Sequence, residues 1–389
     1  MPIERLETLH CDAGWRNYHF VKVTDATGMV GWSEYDEDFG SRGVTTAIEH
    51  LALGLSGREA TAHERIYSEL FCSTRPSAGG VTGQALGAIE NALLDLKAKQ
   101  LGVPCHALFG GKIRDRIRLY WSHCATWRIN QPHFYEPAIT DIEGVRQIGT
   151  EVRERGFTAL KTNIFRYENG KPIGWRPGFG GPFEPGRNMD KPTLADLQAH
   201  LEALRNGAGR DVDILLDLNF NCATEGFVKV VRQLRDFGLL WVEIDTPNPR
   251  ALRHIRSQSG CPVSSCETLL GLRSFLPYFE AEAVDVAIID AIWNGVWQSL
   301  KIAAGAEAYE VNVAPHNFYG HLATMINAHF AAAVPNLRIM EVDVDRLPWD
   351  RELFTTEPPI EDGYLVVPDT PGWGVEPDEA ALAKWPPRR

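Results

Sequence analysis

A period constrains this chain more than any other feature. From Asp217 onward, short β-branched or apolar runs end in a polar residue every 23 to 26 residues: Asp217 (DILLD), Glu243 (LLWVE), Glu267 (PVSSCE), Asp290 (DVAIID), His316 (VNVAPH) and Glu341 (LRIME). One strand plus one helix occupies such a repeat, and units of this kind close most naturally into a (β/α)8 barrel with a parallel inner sheet. Two earlier runs, Leu119–Cys124 and one ending at Lys161 (TALK), bring the strand count to eight. Each polar residue then stands at the carboxyl end of a strand, where barrels gather their functional side chains.

The gap from Lys161 to Asp217 is 56 residues, and its excess, Arg166 to Thr193, holds six Gly and five Pro. Such a segment predicts a lid or binding loop over the site. Ahead of the barrel, alternating runs at His19–Val23 and Thr27–Glu34 predict an antiparallel hairpin turning at Ala26-Thr27-Gly28. Leu86, Ile89, Leu93 and Leu96 then recur at helical spacing, which predicts a core-facing helix over Thr82–Gln100, stopped by Gly102 and Pro104. Past residue 345 the chain is Pro-rich, with a short strand expected at Gly363–Val367 and a turn at Pro371–Gly374. The expected division is an N-terminal zone at 1–117, a barrel at 118–344 and a tail at 345–389 that packs back on the N-terminal sheet.

Charge and cysteine usage narrow the partners. A net charge of −12 gives no electrostatic basis for holding nucleic acid or anionic lipid. The seven cysteines include no Cys-x-x-Cys pair and are too sparse for a disulfide scaffold. MPIERLETLH lacks the apolar stretch of a signal peptide, and no run of about 18 apolar residues occurs. A soluble cytoplasmic protein is expected, with no nucleic-acid or membrane partner; the 11 Trp and 17 Phe leave apolar surface for a homo-oligomer.

Any one acidic strand end is unremarkable, because such residues often cap helices or pair with Arg. Asp217, Glu243 and Glu267 on three consecutive strands are a different matter: their oxygens suit a hard octahedral cation that keeps open positions, so Mg2+ is expected, with Mn2+ as second candidate. Asp290 and His316 fall on the next two strands. A carboxylate on one imidazole nitrogen fixes the tautomer and raises basicity, which makes a general base and acid. Lys161 can stabilise developing negative charge on a substrate oxygen, and Glu341 is expected opposite, sharing that oxyanion if protonated or paired.

The ordered set Lys161, Asp217, Glu243, Glu267, Asp290, His316 and Glu341 resembles the enolase superfamily, in its mandelate racemase/muconate lactonizing enzyme family and the branch with an Asp-His dyad. Ala92-Leu93-Leu94-Asp95 with Lys97, Gly102-Val103-Pro104, Leu108 to Gly111 and Pro371–Gly374 echo that family's other signatures, so the resemblance covers nearly the whole chain. It implies an α/β fold, a modified (β/α)7β TIM-like barrel, under an α+β capping domain formed by the N-terminal zone and the C-terminal tail. It also implies one Mg2+, a carboxylate substrate and removal of the α-proton through an enediolate.

The chain departs from that pattern at the second strand, where the two-base Lys-x-Lys reads Lys161-Thr162-Asn163. With His316 as the evident strong base, dehydration of an acid sugar, an aldonate or aldarate, to a 2-keto-3-deoxy acid is favoured over racemisation, epimerisation or cycloisomerisation. His123, His321, Tyr167 and Tyr319 are alternative acids. Asn163, Asn219, His123, Asn317, His321 and Arg187 are expected to contact substrate; Asn294 is expected at the bowl as well, and such polar residues suit a hydroxyl-rich ligand. Capping-domain loops near Trp15–Asn17 and Tyr35–Arg42 are expected to set specificity. A non-catalytic sugar-acid binder is the reading from another class.

Overall fold

In the computed structural model, which describes residues 1–39, 41–179 and 188–388, the chain opens with three antiparallel strands: β1 (Ile3–Asp12), β2 (Asn17–Asp25) and β3 (Val30–Tyr35). The predicted turn joins β2 to β3. Gly28 takes φ +85°, open to a residue without Cβ, and Asp25 Oδ1 accepts from the amides of Thr27 (2.8 Å) and Met29 (3.0 Å). β1 was hidden by its charges; it is largely solvated, with only Ile3 and Cys11 fully buried.

Three helices follow, α1 (Val44–Ala52), α2 (His63–Ser73) and α3 (Gly80–Leu101). α3 is buried on nearly all sides rather than on one face, and Glu90, Asn91 and Asp95 are buried with it. An unpaired polar group there would cost about 1–3 kcal/mol, so their partners matter. Asp95 accepts from the amides of Trp32 (2.8 Å) and Trp373 (2.9 Å). Asn91 donates to the Ala291 carbonyl (2.9 Å) and accepts from the Val296 amide (2.8 Å), which seats the capping helix on the loop that follows Asp290.

The barrel strands are β4 (Arg116–Ser122) and β5 (Ala159–Thr162), then, past a hairpin of β6 (Phe165–Glu168) and β7 (Lys171–Gly174), β8 (Asp213–Asp217), β9 (Trp241–Glu243), β10 (Val263–Ser265), β11 (Val286–Ile289), β12 (Asn312–Pro315) and β13 (Met340–Asp343). Their parallel pairing runs β12-β11-β10-β9-β8-β5-β4-β13. Between β12 and β13, Val313 bridges to Leu337, its amide donating to Asn336 (2.9 Å) and its carbonyl accepting from Arg338 (2.8 Å). One long helix separates each strand from the next, from Ile142–Glu154 through His321–Ala333, and among the described residues only a 3-10 turn follows β13 before the tail strands. This is the (β/α)7β arrangement. Alternate inward residues, including Tyr120, Leu215, Trp241, Ile288 and Ile339, fill the interior, so it is a packed core and not a pore.

Two expectations need correction. The first barrel strand begins at Arg116 and ends at Ser122, because His123 takes a left-handed φ of +48°. The tail strands, β14 (Ile360–Glu361) and β15 (Tyr364–Val366), do not join the N-terminal sheet: β15 pairs antiparallel with β4, Tyr364 opposite Arg118. Residues 116–118 of β4 would otherwise present a bare edge, which β15 covers. The rest of the tail packs back on the capping sheet: Trp349 Nε1 donates to the Asp12 carbonyl (3.3 Å), the Asp12 amide to the Trp385 carbonyl (2.8 Å) and Trp373 Nε1 to the Trp32 carbonyl (3.1 Å). Among the described residues no helix is long and apolar enough to cross a membrane.

Candidate active site

At the carboxyl ends of the strands lies a cavity of about 540 Å³. Lys161, Asp217, Glu267 and His316 line it, while Glu243, Asp290 and Glu341 are fully buried behind them. Lys161 projects from β5 into a nest of carboxylates, its Nζ 3.0 Å from Glu243 Oε2, 3.0 Å from Glu341 Oε1 and 3.9 Å from Asp217 Oδ2. Burial alone would discharge the amine, but Glu243 and Glu341 outweigh it and hold Lys161 firmly protonated. Burial likewise works to raise Glu341, yet Lys161, His316, His123 and a hydrogen bond from Ser122 bring it down to about 2. Glu341 is therefore held as the ionised partner of Lys161, the paired form of the two expected for it.

Across the bowl, His316 Nδ1 lies 2.7 Å from Asp290 Oδ2. The other Asp290 oxygen accepts from the Ile292 and Trp293 amides, both at 2.8 Å, at the start of the short helix Ala291–Asn294. Tyr319 Oη also donates to Asp290 Oδ2 (2.5 Å), so this tyrosine supports the dyad. Burial lowers the affinity of His316 for a proton, but the hydrogen bond and charge of Asp290, with Glu341, raise it overall. Nδ1 is thereby occupied, and Nε2 faces the site 3.5 Å from Glu267 Oε2.

Asp217, Glu243 and Glu267 come to one side of the bowl, joined by a carboxylate the sequence reading passed over, Asp245. Burial, then Glu243, pushes Asp217 up to about 7; burial, then Asp245 and Glu243, pushes Glu267 well above the usual range. Glu243 Oε1 and Asp245 Oδ2 are buried without a hydrogen-bond partner. Among the described residues no group of three such side chains forms a preformed metal cage. The donor chemistry nevertheless fits a hard divalent cation, since four buried carboxylates exceed the countercharge present and two oxygens have no donor.

The expected substrate contacts divide sharply. His123, Asn163 and Asn219 line the cavity. Asn163 Nδ2 donates to Asp217 Oδ2 (3.3 Å), and the Asn219 amide, at φ +44°, donates to Asp217 Oδ1 (2.9 Å). Burial pushes His123 down to about 3, and its ring stacks 4.4 Å from Trp127, so it is a neutral wall. Asn317, by contrast, turns inward: its amide donates to Glu341 Oε2 (2.8 Å), its side chain to Thr324 Oγ1 and the Glu341 carbonyl, both at 3.1 Å. It positions Glu341 and is not among the residues that line the cavity. His321 points away as well, with Nε2 3.2 Å from Asp350 Oδ2, beside a separate cavity between β13 and the tail. Asn294 spends its side chain on the Gly271 amide and the Leu269 carbonyl. Arg187 lies outside the described residues.

Much of the remaining lining is aromatic, with Phe39 from the capping domain, Trp127, Phe165, Phe179, Phe220 and Phe318, interspersed with polar Asn130, Arg176 and Thr268. Phe165 begins the β6–β7 hairpin, so the first half of the long insertion is ordered wall. Trp15 backs this wall, its ring packed at a tilt against Trp127 with centroids 4.1 Å apart. Arg16 donates to the Phe318 carbonyl and to Asp343 Oδ2, tying the capping domain to the mouth. Asp245 carried one signal in the sequence: it stands two residues past Glu243, the spacing that returns a strand side chain to the same face.

Residues 11–110 match the mandelate racemase/muconate lactonizing enzyme N-terminal domain, and residues 144–381 match the enolase C-terminal domain-like family. The chain belongs to the mandelate racemase/muconate lactonizing enzyme family of the enolase superfamily. Its curated relatives in that family include a D-galactonate dehydratase family member of Streptomyces bingchenggensis, 28% identical over 95% of this chain and 90% of that protein. A D-gluconate dehydratase of Thermoproteus tenax is also 28% identical, over 96% of this chain and 71% of its own length. Among solved structures, a Burkholderia xenovorans strain LB400 protein, provisionally described as an L-alanine-DL-glutamate epimerase, is 60% identical with a TM-score of 0.98, covering 100% of this chain and 99% of its own. A second structure of that family member, bound to magnesium and fumarate, gives the same identity and TM-score with 96% of its chain covered. The chain is an enzyme of this family.

Proposed function

We propose that this enzyme dehydrates an acid sugar, an aldonate or aldarate, to a 2-keto-3-deoxy acid. The observation that carries the reading is the one-sidedness of the bowl: His316, backed by Asp290 at 2.7 Å, is its proton-transfer group, and Asn163 stands where a base for the opposite face would be needed. The curated dehydratase relatives agree with it.

Asp217, Glu243 and Glu267 would hold Mg2+, which when bound supplies Lewis-acid stabilisation of negative charge on the substrate carboxylate. Lys161, kept protonated by Glu243 and Glu341, donates a hydrogen bond to a carboxylate oxygen and stabilises the enediolate as the α-proton leaves. His316 Nε2 accepts that proton, and Asp290 stabilises the imidazolium. His316 then returns the proton to the β-hydroxyl, which departs as water as the Cα–Cβ double bond forms; the enol tautomerises to the keto acid. The aromatic wall screens the intermediate from solvent and offers ring faces to the carbon face of a sugar chain.

The test is a screen of the protein with Mg2+ against aldonates and aldarates, detecting keto acids by semicarbazide absorbance, with His316→Asn as control. A keto acid that the control abolishes is expected. The 60% identity to a protein described as an epimerase supports a second reading, inversion at Cα. Run in D2O, recovered substrate that is inverted and deuterated at Cα, without keto acid, would replace the first reading by the second.

A further inference from the structure

Asp245 lies just beyond β9, 4% exposed, its amide donating to the Asn219 carbonyl (3.1 Å). Oδ1 accepts from Ser265 Oγ (3.4 Å), and the carboxylate faces the backbone of Cys266 and the side chain of Glu267. Cys266 has φ +90°, a region L residues other than Gly rarely occupy. Such a conformation costs on the order of 1–3 kcal/mol and persists only where its surroundings hold it. The Asp245 carboxylate, hydrogen-bonded to Ser265, lies beside this bend, and the next residue is Glu267. Asp245 Oδ2, meanwhile, has no hydrogen-bond partner, and no ion pair reaches Asp245 among the described residues, since Lys161 is taken up by Glu243, Glu341 and Asp217. A buried, uncompensated carboxylate beside two others is unfavourable until a cation arrives.

We propose that Asp245 is a positioning residue of the cation centre: one oxygen fixes the left-handed bend at Cys266 that directs Glu267, and the other adds a fourth negative charge that tightens the hold on a divalent cation. The inference rests on the metal-assisted reading above and extends it to a residue outside the three expected ligands. It separates two contributions, because Asp245→Asn keeps an acceptor for Ser265 beside the bend while removing the charge, and Asp245→Ala removes both.

Isothermal titration with Mg2+ on the full chain, beside melting temperatures of the metal-free proteins, tests it without relying on turnover. Asp245→Asn is expected to fold, to melt higher than wild type when metal-free because like-charge repulsion is relieved, and to bind Mg2+ roughly 10- to 100-fold more weakly. Asp245→Ala is expected to bind more weakly again. Wild-type affinity in Asp245→Asn overturns the charge role, and equal affinity in the Asn and Ala variants overturns the bend role. If wild type itself takes up no Mg2+, the metal-assisted reading falls and this inference with it, an outcome visible before any variant is compared.

Discussion

On the flank of the bowl formed by β11 and β12, His316 and Asp290 are bound at 2.7 Å, and the imidazole is raised in proton affinity. On the flank formed by β5 and β8, the corresponding places hold Asn163 and Asn219, neutral amides: Asn163 Nδ2 donates to Asp217 Oδ2 and to Asn219 Oδ1, and Asn219 reaches Asp217 only through its backbone amide. Both flanks reach the same cavity, so they face one substrate with unequal means. On the proposed reading, a site so divided removes and returns a proton on one side only, which suits elimination better than inversion.

The sharpest way to break the comparison is His316→Asn, expected to lower kcat/KM by about 10³-fold or more, within the range of general acid-base catalysis. Steady-state kinetics beside an unchanged melting temperature would check it; retained turnover would mean the proton leaves from the other flank. Asp290→Asn should have the next largest effect, on the order of 10²-fold. It also carries a sign: burial lowers the His316 pKa, Asp290 raises it, and removing that charge lets the imidazole lose its proton at lower pH. The acid limb of the kcat/KM profile, expected above 6.5 in wild type, should therefore move down. An unmoved limb would assign it to another group. The smallest change in rate, less than about 10-fold, is expected from Asn163→Lys, which equips the poorer flank with an amine. NMR in D2O should then reveal α-deuterated epimer absent with wild type; no such exchange would show that more than the missing lysine separates the flanks.

Much of this was legible because it is periodic. The run ends from Asp217 to Glu341 revealed the strands, and strand ends in a barrel share a face, so Lys161, Asp217, Glu267 and His316 could be gathered before any coordinates. The polar rim was read poorly because its residues follow strand ends without a period. Asn317 is next to His316 in sequence, yet its side chain turns inward to Thr324 and the Glu341 carbonyl, and His321, at the start of a helix, turns to Asp350. The aromatic wall was missed for the opposite reason, since Phe39, Phe165, Phe220 and Phe318 come from four separate segments.

The sequence by itself determined the alternation of strand and helix, the capping helix and the residues that end each strand, because hydrophobic period and turn chemistry are local. Only the tertiary structure decided that β15 covers β4, that Asp245 joins the carboxylates, and that Glu341 is ionised beside Lys161. Edge pairing, burial and charge depend on which distant segments meet, and no stretch of sequence carries that information alone.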